Sequence, residues 1–181
     1  ESNPRIKISD QDFNNSIKKF NIKKNQTNIL LGIGGSGPTK RIPANIFLQF
    51  MNLAMEEKNN CRFFLATGKE KEEQKILKEI MASKFYKFCT TLDDFDLNEI
   101  LPLIKNCAVS VCNDSSFSHL SAALNIPTIV LMADTPLLYG SYSPKMFPII
   151  PDGEKTVTHD TLGKDKINPI KIFEEFKKIL I

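Results

Sequence analysis

Two short polar stretches carry most of the residues that could bind a phosphate group. The first is the glycine-rich run 32–43, GIGGSGPTKRIP, in which Ser36 and Lys40 follow Gly35 closely. The second is the run 113–119, NDSSFSH. Its candidate ligand-binding residues are Asp114, Ser115, Ser116 and His119. Backbone N–H groups of a glycine-rich turn, hydroxyls and cations are the groups that bind an anion.

Four kinds of turn could account for the glycine-rich run: a dinucleotide-binding turn, an NTPase loop, a plain turn and a phosphate-binding turn of another kind. A dinucleotide-binding turn needs its third glycine inside the following helix and an acidic residue ending the second strand. Here Pro38 follows the third glycine, and the second strand ends without such a residue. An NTPase loop needs glycine before its lysine, where this chain has Thr39. A plain turn explains the glycines but not the presence of Ser36 and Lys40, so we favour a phosphate-binding turn.

The second run follows an apolar, strand-like segment and opens a helix. Asn113, Asp114 and Ser115 are N-cap residues by type, and the helix should begin near Ser116. The free N–H groups and positive dipole end of that helix favour an anion. Ser115, Ser116 and His119 lie within one helical turn, so their side chains share a face. The alternative interpretation is that Ser115 only caps the helix and that His119 is a residue of its amphipathic surface. Asp114, Ser116 and His119 are too local for a hydrolytic triad.

The apolar runs predict the sheet that positions these turns. Six runs read as strands: NILLGI, CRFFLAT, FYKFCT, CAVSVCN, PTIVLM and KMFPIIP. Helical patterns separate them, which predicts an α/β fold with a doubly wound, Rossmann-like parallel sheet and helices on both faces. Ligands of such sheets bind beyond the carboxyl ends of the strands, near the switch in strand order. We assign residues 1–24 to an N-terminal lead-in that connects domains and 25–181 to a Rossmann-like nucleotide-sugar-binding domain.

Composition argues against several other classes of protein. A net charge of +3 on 181 residues, with dispersed lysines, gives no basis for nucleic-acid binding. Two histidines and four cysteines without a C-x-x-C pair argue against a metal site. The longest apolar run, IPTIVLMA, is far shorter than the ~20 residues that span a bilayer, and no signal pattern is visible. We therefore expect a cytoplasmic protein with buried, reduced thiols.

Taken together, GGSGPTKRIP and NDSSFSHLSAALNIPTIVL resemble the signature of the ADP-heptose:lipopolysaccharide heptosyltransferase family. These glycosyltransferases have the GT-B fold, in which two Rossmann-like domains face a cleft. The resemblance runs from about residue 4 to the end and covers the carboxyl-terminal, donor-binding domain. By position, it implies that the donor diphosphate and sugar contact Gly35, Ser36 and Lys40. It implies that Glu72 holds the nucleoside ribose and that Phe95 lies near the adenine.

The second turn matches the family's D-[ST]-G-x-x-H, which approaches the phosphates and the donor sugar, with Asp114, Ser115, Ser116 and His119. Three positions in the chain depart from the family's pattern. Ser116 replaces a glycine, Ile42 replaces an aromatic residue, and the run 132–134, MAD, replaces GPT. A side chain at position 116 narrows the space near the phosphates, so we expect a divergent member of the family.

The resemblance implies transfer of heptose from ADP-heptose to a lipopolysaccharide core or a related lipid-linked saccharide, without a cofactor or metal. Lys40, the loop amides and the helix N-terminus at Ser115 would stabilise the diphosphate leaving group. The acceptor site and an aspartate base belong to the family's amino-terminal domain, which nothing in this chain matches. We therefore expect the chain alone to be inactive. The family's lipid-linked acceptors imply that the enzyme can associate peripherally with the inner membrane face. A non-catalytic nucleotide-binding module and a GT-B sugar-nucleotide epimerase remain alternatives.

Overall fold

The computed structural model of the chain describes residues 3–35 and 37–181. Within them, parallel strands form one six-stranded sheet in the order β3-β2-β1-β4-β5-β6. The strands are β1 (Thr27–Gly32), β2 (Cys61–Ala66), β3 (Cys89–Thr91), β4 (Val109–Asn113), β5 (Thr128–Leu131) and β6 (Met146–Ile149). The α-helices are α1 (Asp10–Lys19), α2 (Ala44–Glu57), α3 (Lys71–Met81), α4 (Leu97–Lys105), α5 (Ser116–Ala123) and α6 (Pro169–Ile179).

The strand order reverses between β1 and β4, which are neighbours in the centre of the sheet. This is the order of doubly wound nucleotide-binding folds, and it confirms the predicted fold class. Gly32 at the end of β1 pairs in register with Cys112 near the end of β4. The glycine-rich turn after β1 and the polar turn after β4 therefore leave the sheet side by side.

Both faces of the sheet are covered because its central strands are apolar on both sides. Ile29 and Leu31 of β1 pack into the cluster formed with α2, α3 and α6, whereas Leu30 packs on the side of α1 and α4. The α1 segment contributes to this second cluster, with the Phe20 ring edge-on to Phe64 at 6.3 Å. The segment thus packs as part of the domain, and its predicted role as a connector stays a prediction.

Two predicted elements differ in detail from the structure. The predicted third strand was expected to include residues 85–90, but a 3₁₀ turn occupies Tyr86–Phe88 and the strand begins only at Cys89. Half-exposed aromatic residues in this stretch imitate a strand pattern without pairing to β2. The extended lead-in does not join the sheet; its Ile6 N–H donates to the Ala123 carbonyl at 2.8 Å.

The cysteines are free thiols, as predicted, although Cys89 is only partly buried. Burial raises the pKa of Cys61 to about 11 and that of Cys89 to about 12, so both are neutral at physiological pH. Across the described residues, none of the helices combines the length and the apolar character that crossing a membrane requires.

Candidate functional site

The turns after β1 and β4 touch at Gly35 and Ser115. A Cβ atom added to Gly35 would lie 2.5 Å from the Ser115 Cβ, closer than real Cβ atoms approach. Gly35 also has φ of +101°, a conformation that favours glycine. This glycine therefore allows the two turns to meet, in addition to shaping its own turn.

Asn113, the last residue of β4, ties the two turns together. Its side-chain N–H donates to the Ile33 carbonyl at 3.1 Å and the Gly34 carbonyl at 3.4 Å. Its Oδ1 accepts from the Ile42 backbone N–H at 3.4 Å. The sequence marked Asn113 only as an N-cap type, whereas the structure shows a fully buried bridge between the turns.

The backbone amides of the glycine loop are largely used within the protein. Gly35 N–H donates to Glu73 Oε2 at 3.0 Å, and Gly37 N–H donates to the Gly35 carbonyl at 2.9 Å. Lys40 N–H donates to the Gly37 carbonyl at 3.2 Å. These three amides already have acceptors in this conformation, and our expectation that the loop amides bind phosphate stays a prediction.

A cavity of about 320 Å³ opens at the junction of the two turns. It is lined by Lys40, Asp114, Ser115, Ser116, His119, Thr135, Tyr139 and His159. The first five were predicted as site residues, and the structure brings them together around one space. The cavity lies beyond the carboxyl ends of β1 and β4, at the switch point where such folds bind ligands.

Asp114 stands between two of the basic side chains that line this cavity, Lys40 and His119. Its Oδ2 lies 3.7 Å from Lys40 Nζ, and its Oδ1 lies 3.9 Å from His119 Nε2. The Asp114 side chain is only 7% exposed, whereas His119 is 40% exposed. Lys40 therefore reaches the cavity with its charge already directed toward a buried carboxylate.

Tyr142, which the sequence did not single out, holds the other side of His119. Its hydroxyl lies 2.7 Å from His119 Nδ1, and the two rings stack at 5.6 Å. Burial raises the pKa of Tyr142, so its hydroxyl keeps its proton. When that hydroxyl donates to Nδ1, a neutral His119 carries its proton on Nε2 and presents an N–H donor toward Asp114.

Two buried hydroxyls at this cavity have no hydrogen-bond partner among the described residues. They are Ser115 Oγ and Thr135 Oγ1, both on residues that are about 5% exposed or less. Ser115 occupies the N-cap position of α5, but its side chain makes no capping hydrogen bond. A buried polar group without a partner costs about 1–3 kcal/mol, so a ligand that supplies partners would be favoured here.

The remaining predicted residues lie elsewhere. Ser36 is outside the described residues. Glu72 is exposed and lines a second cavity, of about 270 Å³, which Arg41 also lines. Phe95 packs against Phe20 at 5.0 Å between ring centroids. Neither Glu72 nor Phe95 lines the cavity of Lys40, and their predicted contacts with a nucleoside stay predictions.

Sequence reasoning missed Thr135 and His159, which lie in loops, and Tyr139, which lies in the short 3₁₀ helix Leu137–Gly140, because none of these segments has a periodic pattern. Asp134 joins two of these segments: its Oδ1 accepts the Leu162 N–H at 2.6 Å. The one sequence signal near these residues is the run 132–134, where MAD replaces the family's GPT. Within the described part of the chain, no group of three or more His, Cys, Asp or Glu residues could hold a metal ion.

Sequence comparison finds a match to the model of one protein family. The description of that family is glycosyltransferase family 9 (heptosyltransferase), and the match covers residues 1–166. The chain is 28% identical over 160 residues to lipopolysaccharide heptosyltransferase 1 of Campylobacter coli, covering 87% of this chain and 46% of that protein. It is 29% identical over 117 residues to lipooligosaccharide heptosyltransferase 2 of Haemophilus influenzae, covering 64% of this chain and 32% of that protein.

Structural comparison agrees on the fold. The structure of the E. coli ADP-heptose lps heptosyltransferase II superposes with a TM-score of 0.78 at 23% identity, covering 98% of this chain and 53% of that one. At this identity the likeness shows the fold alone. The chain thus spans about half the length, or less, of the relatives it matches.

Proposed function

The chain belongs to glycosyltransferase family 9, and on that premise we propose that it binds the nucleotide-sugar donor of a heptosyltransferase. The donor would be ADP-heptose and the acceptor a lipopolysaccharide core or related lipid-linked saccharide, in line with the names of its relatives. The family match favours this function over an epimerase or a non-catalytic module. Donor binding is the step we assign to these residues, because the cavity between the two turns is lined by groups that suit a diphosphate.

The observation that carries this proposal is that two buried hydroxyls without a hydrogen-bond partner among the described residues line the same cavity as Lys40. The cavity lined by Ser115 and Thr135 is also lined by Lys40 of the glycine-rich loop, and it lies at the N-terminus of α5. A diphosphate supplies several acceptor oxygens and negative charge, which suit hydroxyl donors, an ammonium and a helix N-terminus together. Because Gly35 N–H is bonded to Glu73 in this conformation, the proposal rests on the hydroxyls, Lys40 and the helix N-terminus more than on the loop amides.

Each group would act on the charge that grows as the glycosidic bond breaks. Lys40 and the free N–H groups of the first turn of α5 would stabilise the leaving diphosphate. Asp114, which holds Lys40, could also accept hydrogen bonds from donor-sugar hydroxyls. His119, oriented by Tyr142, would donate its Nε2–H to a phosphate oxygen.

The nucleoside contacts and the cellular location belong to the same proposal. Glu72 would accept hydrogen bonds from the ribose, and Phe95 would lie near the adenine, as the family resemblance implies. A lipid-linked acceptor would bring the enzyme to the inner face of the cytoplasmic membrane as a peripheral protein. The support for this location is the relatives' named acceptor, lipopolysaccharide.

Isothermal titration calorimetry of the chain with ADP, ADP-mannose and UDP tests the proposal. We expect binding of the adenine nucleotides and weaker binding of UDP. Lys40→Ala removes a charged contact worth about 1.5–3 kcal/mol, so the Kd for ADP should rise about 10- to 150-fold. Because this contact is ionic and partly exposed, added salt should reduce the difference.

Lys171→Ala is the matched control, since Lys171 also pairs with an aspartate, Asp152, but on α6. Its Kd for ADP should equal that of the wild type. Absence of heat with every nucleotide would refute the proposed function. An unchanged Kd in Lys40→Ala would refute the placement of the diphosphate beside Lys40.

A further inference from the structure

We infer that Glu73 is a positioning residue that fixes the glycine loop in the conformation needed for donor binding. Its Oε2 accepts the Gly68 N–H at 2.8 Å and the Gly35 N–H at 3.0 Å. It also accepts the Thr67 hydroxyl at 3.2 Å. One carboxylate oxygen thereby joins the turn after β2 to the glycine-rich turn after β1. The link to donor affinity rests on the proposed function.

The carboxylate occupies the space that two glycines leave open. A Cβ added to Gly34 would lie 2.2 Å from Glu73 Oε2, and one added to Gly68 would lie 2.8 Å from Oε1. Glu73 itself is 5% exposed. The glycines at positions 34 and 68 and the buried carboxylate between them thus form one fitted unit.

The charge of Glu73 is compensated within this unit. Burial by itself raises the pKa of Glu73, but the bonds from Gly68, Gly35 and Thr67 and the nearby Arg41 charge bring it below the ordinary value. Arg41 Nε in turn donates to the Gly35 carbonyl at 3.1 Å. Gly35 is therefore held at its N–H by Glu73 and at its C=O by Arg41.

Holding Gly35 matters because this residue sets the approach of the second turn. Its Cα faces Ser115, whose hydroxyl lines the candidate donor cavity, and Lys40 follows in the same loop. Without Glu73, the buried Thr67 hydroxyl and the partly buried amides of Gly35 and Gly68 lose their acceptor, and the loop would relax toward other partners. Glu73 thus acts on the donor through Gly35, without lining the donor cavity.

A first experiment tests the loop without any ligand. Amide hydrogen exchange is measured by NMR on the wild type, Glu73→Ala, Glu73→Gln and Leu77→Ala. Leu77 lies one turn along the buried face of α3 in the apolar cluster and is not an acceptor for the loop, so its variant controls for lost stability. Protection at Gly35, divided by that at Leu30 to remove global unfolding, should fall about tenfold or more in Glu73→Ala, because its acceptor is charged. It should be retained in Leu77→Ala.

Glu73→Gln keeps a carbonyl oxygen that can replace Oε2 as the common acceptor. This variant should therefore retain most of the protection at Gly35. The same four proteins are then titrated with ADP at a temperature where circular dichroism shows each to be folded. The Kd should rise about tenfold or more in Glu73→Ala, and change by less than about threefold in Glu73→Gln and Leu77→Ala.

The two experiments fail separately. Unchanged protection of Gly35 in Glu73→Ala would overturn the positioning role, whether or not ADP binds. Lost protection with an unchanged Kd would overturn the link between the loop and donor affinity. A wild type that binds no nucleotide would refute the proposed function, and the exchange data would still decide whether Glu73 fixes the loop.

Discussion

Replacing Gly35 by alanine should test whether contact between the two turns builds the site. Gly37 offers a matched control in the same loop, because its φ of +106° resembles the +101° of Gly35. A Cβ at Gly37 would meet no described atom within 4 Å, whereas a Cβ at Gly35 would meet Ser115 Cβ at 2.5 Å. Both substitutions therefore introduce similar backbone strain, but only Gly35→Ala places its new methyl group against the Ser115 Cβ.

The expected magnitudes follow from these two terms. Placing alanine at a left-handed position costs about 1–2 kcal/mol, which is the loss of stability we expect for Gly37→Ala. Inserting a methyl into a filled space adds about 1–3 kcal/mol, so Gly35→Ala should lose about 2–5 kcal/mol. The reduced entropy of the unfolded chain offsets both variants equally and cancels in the comparison.

Urea unfolding followed by circular dichroism measures these differences. The double variant Gly35→Ala/Ser115→Gly removes the Cβ atom that the new methyl would strike. It should therefore be less destabilised than the sum of its single variants, by about 1–3 kcal/mol. ADP affinity should be lost in Gly35→Ala and largely kept in Gly37→Ala, because only the former separates the turns.

Equal destabilisation by Gly35→Ala and Gly37→Ala would contradict the reasoning. So would a coupling energy with Ser115→Gly below about 0.5 kcal/mol, the size at which distant, independent sites already deviate from additivity. Either result would mean that the turns adjust at small cost and that Gly35 serves only its own turn.

Two further predictions concern the groups that hold the site. Since the pKa of Glu73 is lower in the folded chain than its ordinary 4.5, its ionisation stabilises the fold above about pH 4.5. That stability is lost as the pH falls through the folded pKa, so urea unfolding should show a steeper acid loss for the wild type than for Glu73→Gln. Tyr142→Phe removes the hydrogen bond to His119 Nδ1, worth about 0.5–1.5 kcal/mol, and should weaken ADP binding about 2- to 10-fold in calorimetry. Tyr86→Phe, on the exposed 3₁₀ turn, is its control, and equal Kd values for both variants would show that Tyr142 does not orient the imidazole.

The sheet was predictable because its central strands are continuous apolar runs. NILLGI and CAVSVCN contain strands that are buried on both faces, a pattern that few other elements share. The short β3 was placed only approximately, because its three residues are half-buried and aromatic neighbours extend the apparent pattern. The strength of the prediction thus followed the burial of each strand.

The meeting of the two turns was also predictable, since carboxyl ends of parallel strands lie at one edge of the sheet. The contributions of Thr135 and His159 were not, because their loops lack a repeating pattern. Their position depends on tertiary contacts such as the bond between Asp134 and the Leu162 N–H. No local sequence rule specifies such a contact between separate loops.

Helical periodicity distinguishes Glu72 from Glu73 at the start of α3, which the family resemblance alone did not do. Glu73, Leu77 and Ile80 are spaced at i, i+4 and i+7, and all three are buried. A charged residue on an apolar helix face needs buried partners, which here are the amides of Gly35 and Gly68. Glu72, about 100° away around the helix, is exposed and available to a ligand. The two carboxylates therefore differ in exposure, as their positions around the helix predict, and Glu73 is the one that accepts hydrogen bonds from the Gly35 and Gly68 amides.

The charge balance of the cavity explains how an anion can bind beside buried carboxylates. Glu73 is compensated by backbone amides and Arg41. Asp114 has two basic neighbours, and its separation of 3.7 Å from Lys40 Nζ gives a Coulomb attraction of about 4 kcal/mol at an effective dielectric constant of about 20. A phosphate oxygen at the same distance would attract Lys40 about equally. An ammonium has three N–H donors, so Lys40 can contact Asp114 and a phosphate together, and under the proposed function Asp114 would orient the lysine for the diphosphate.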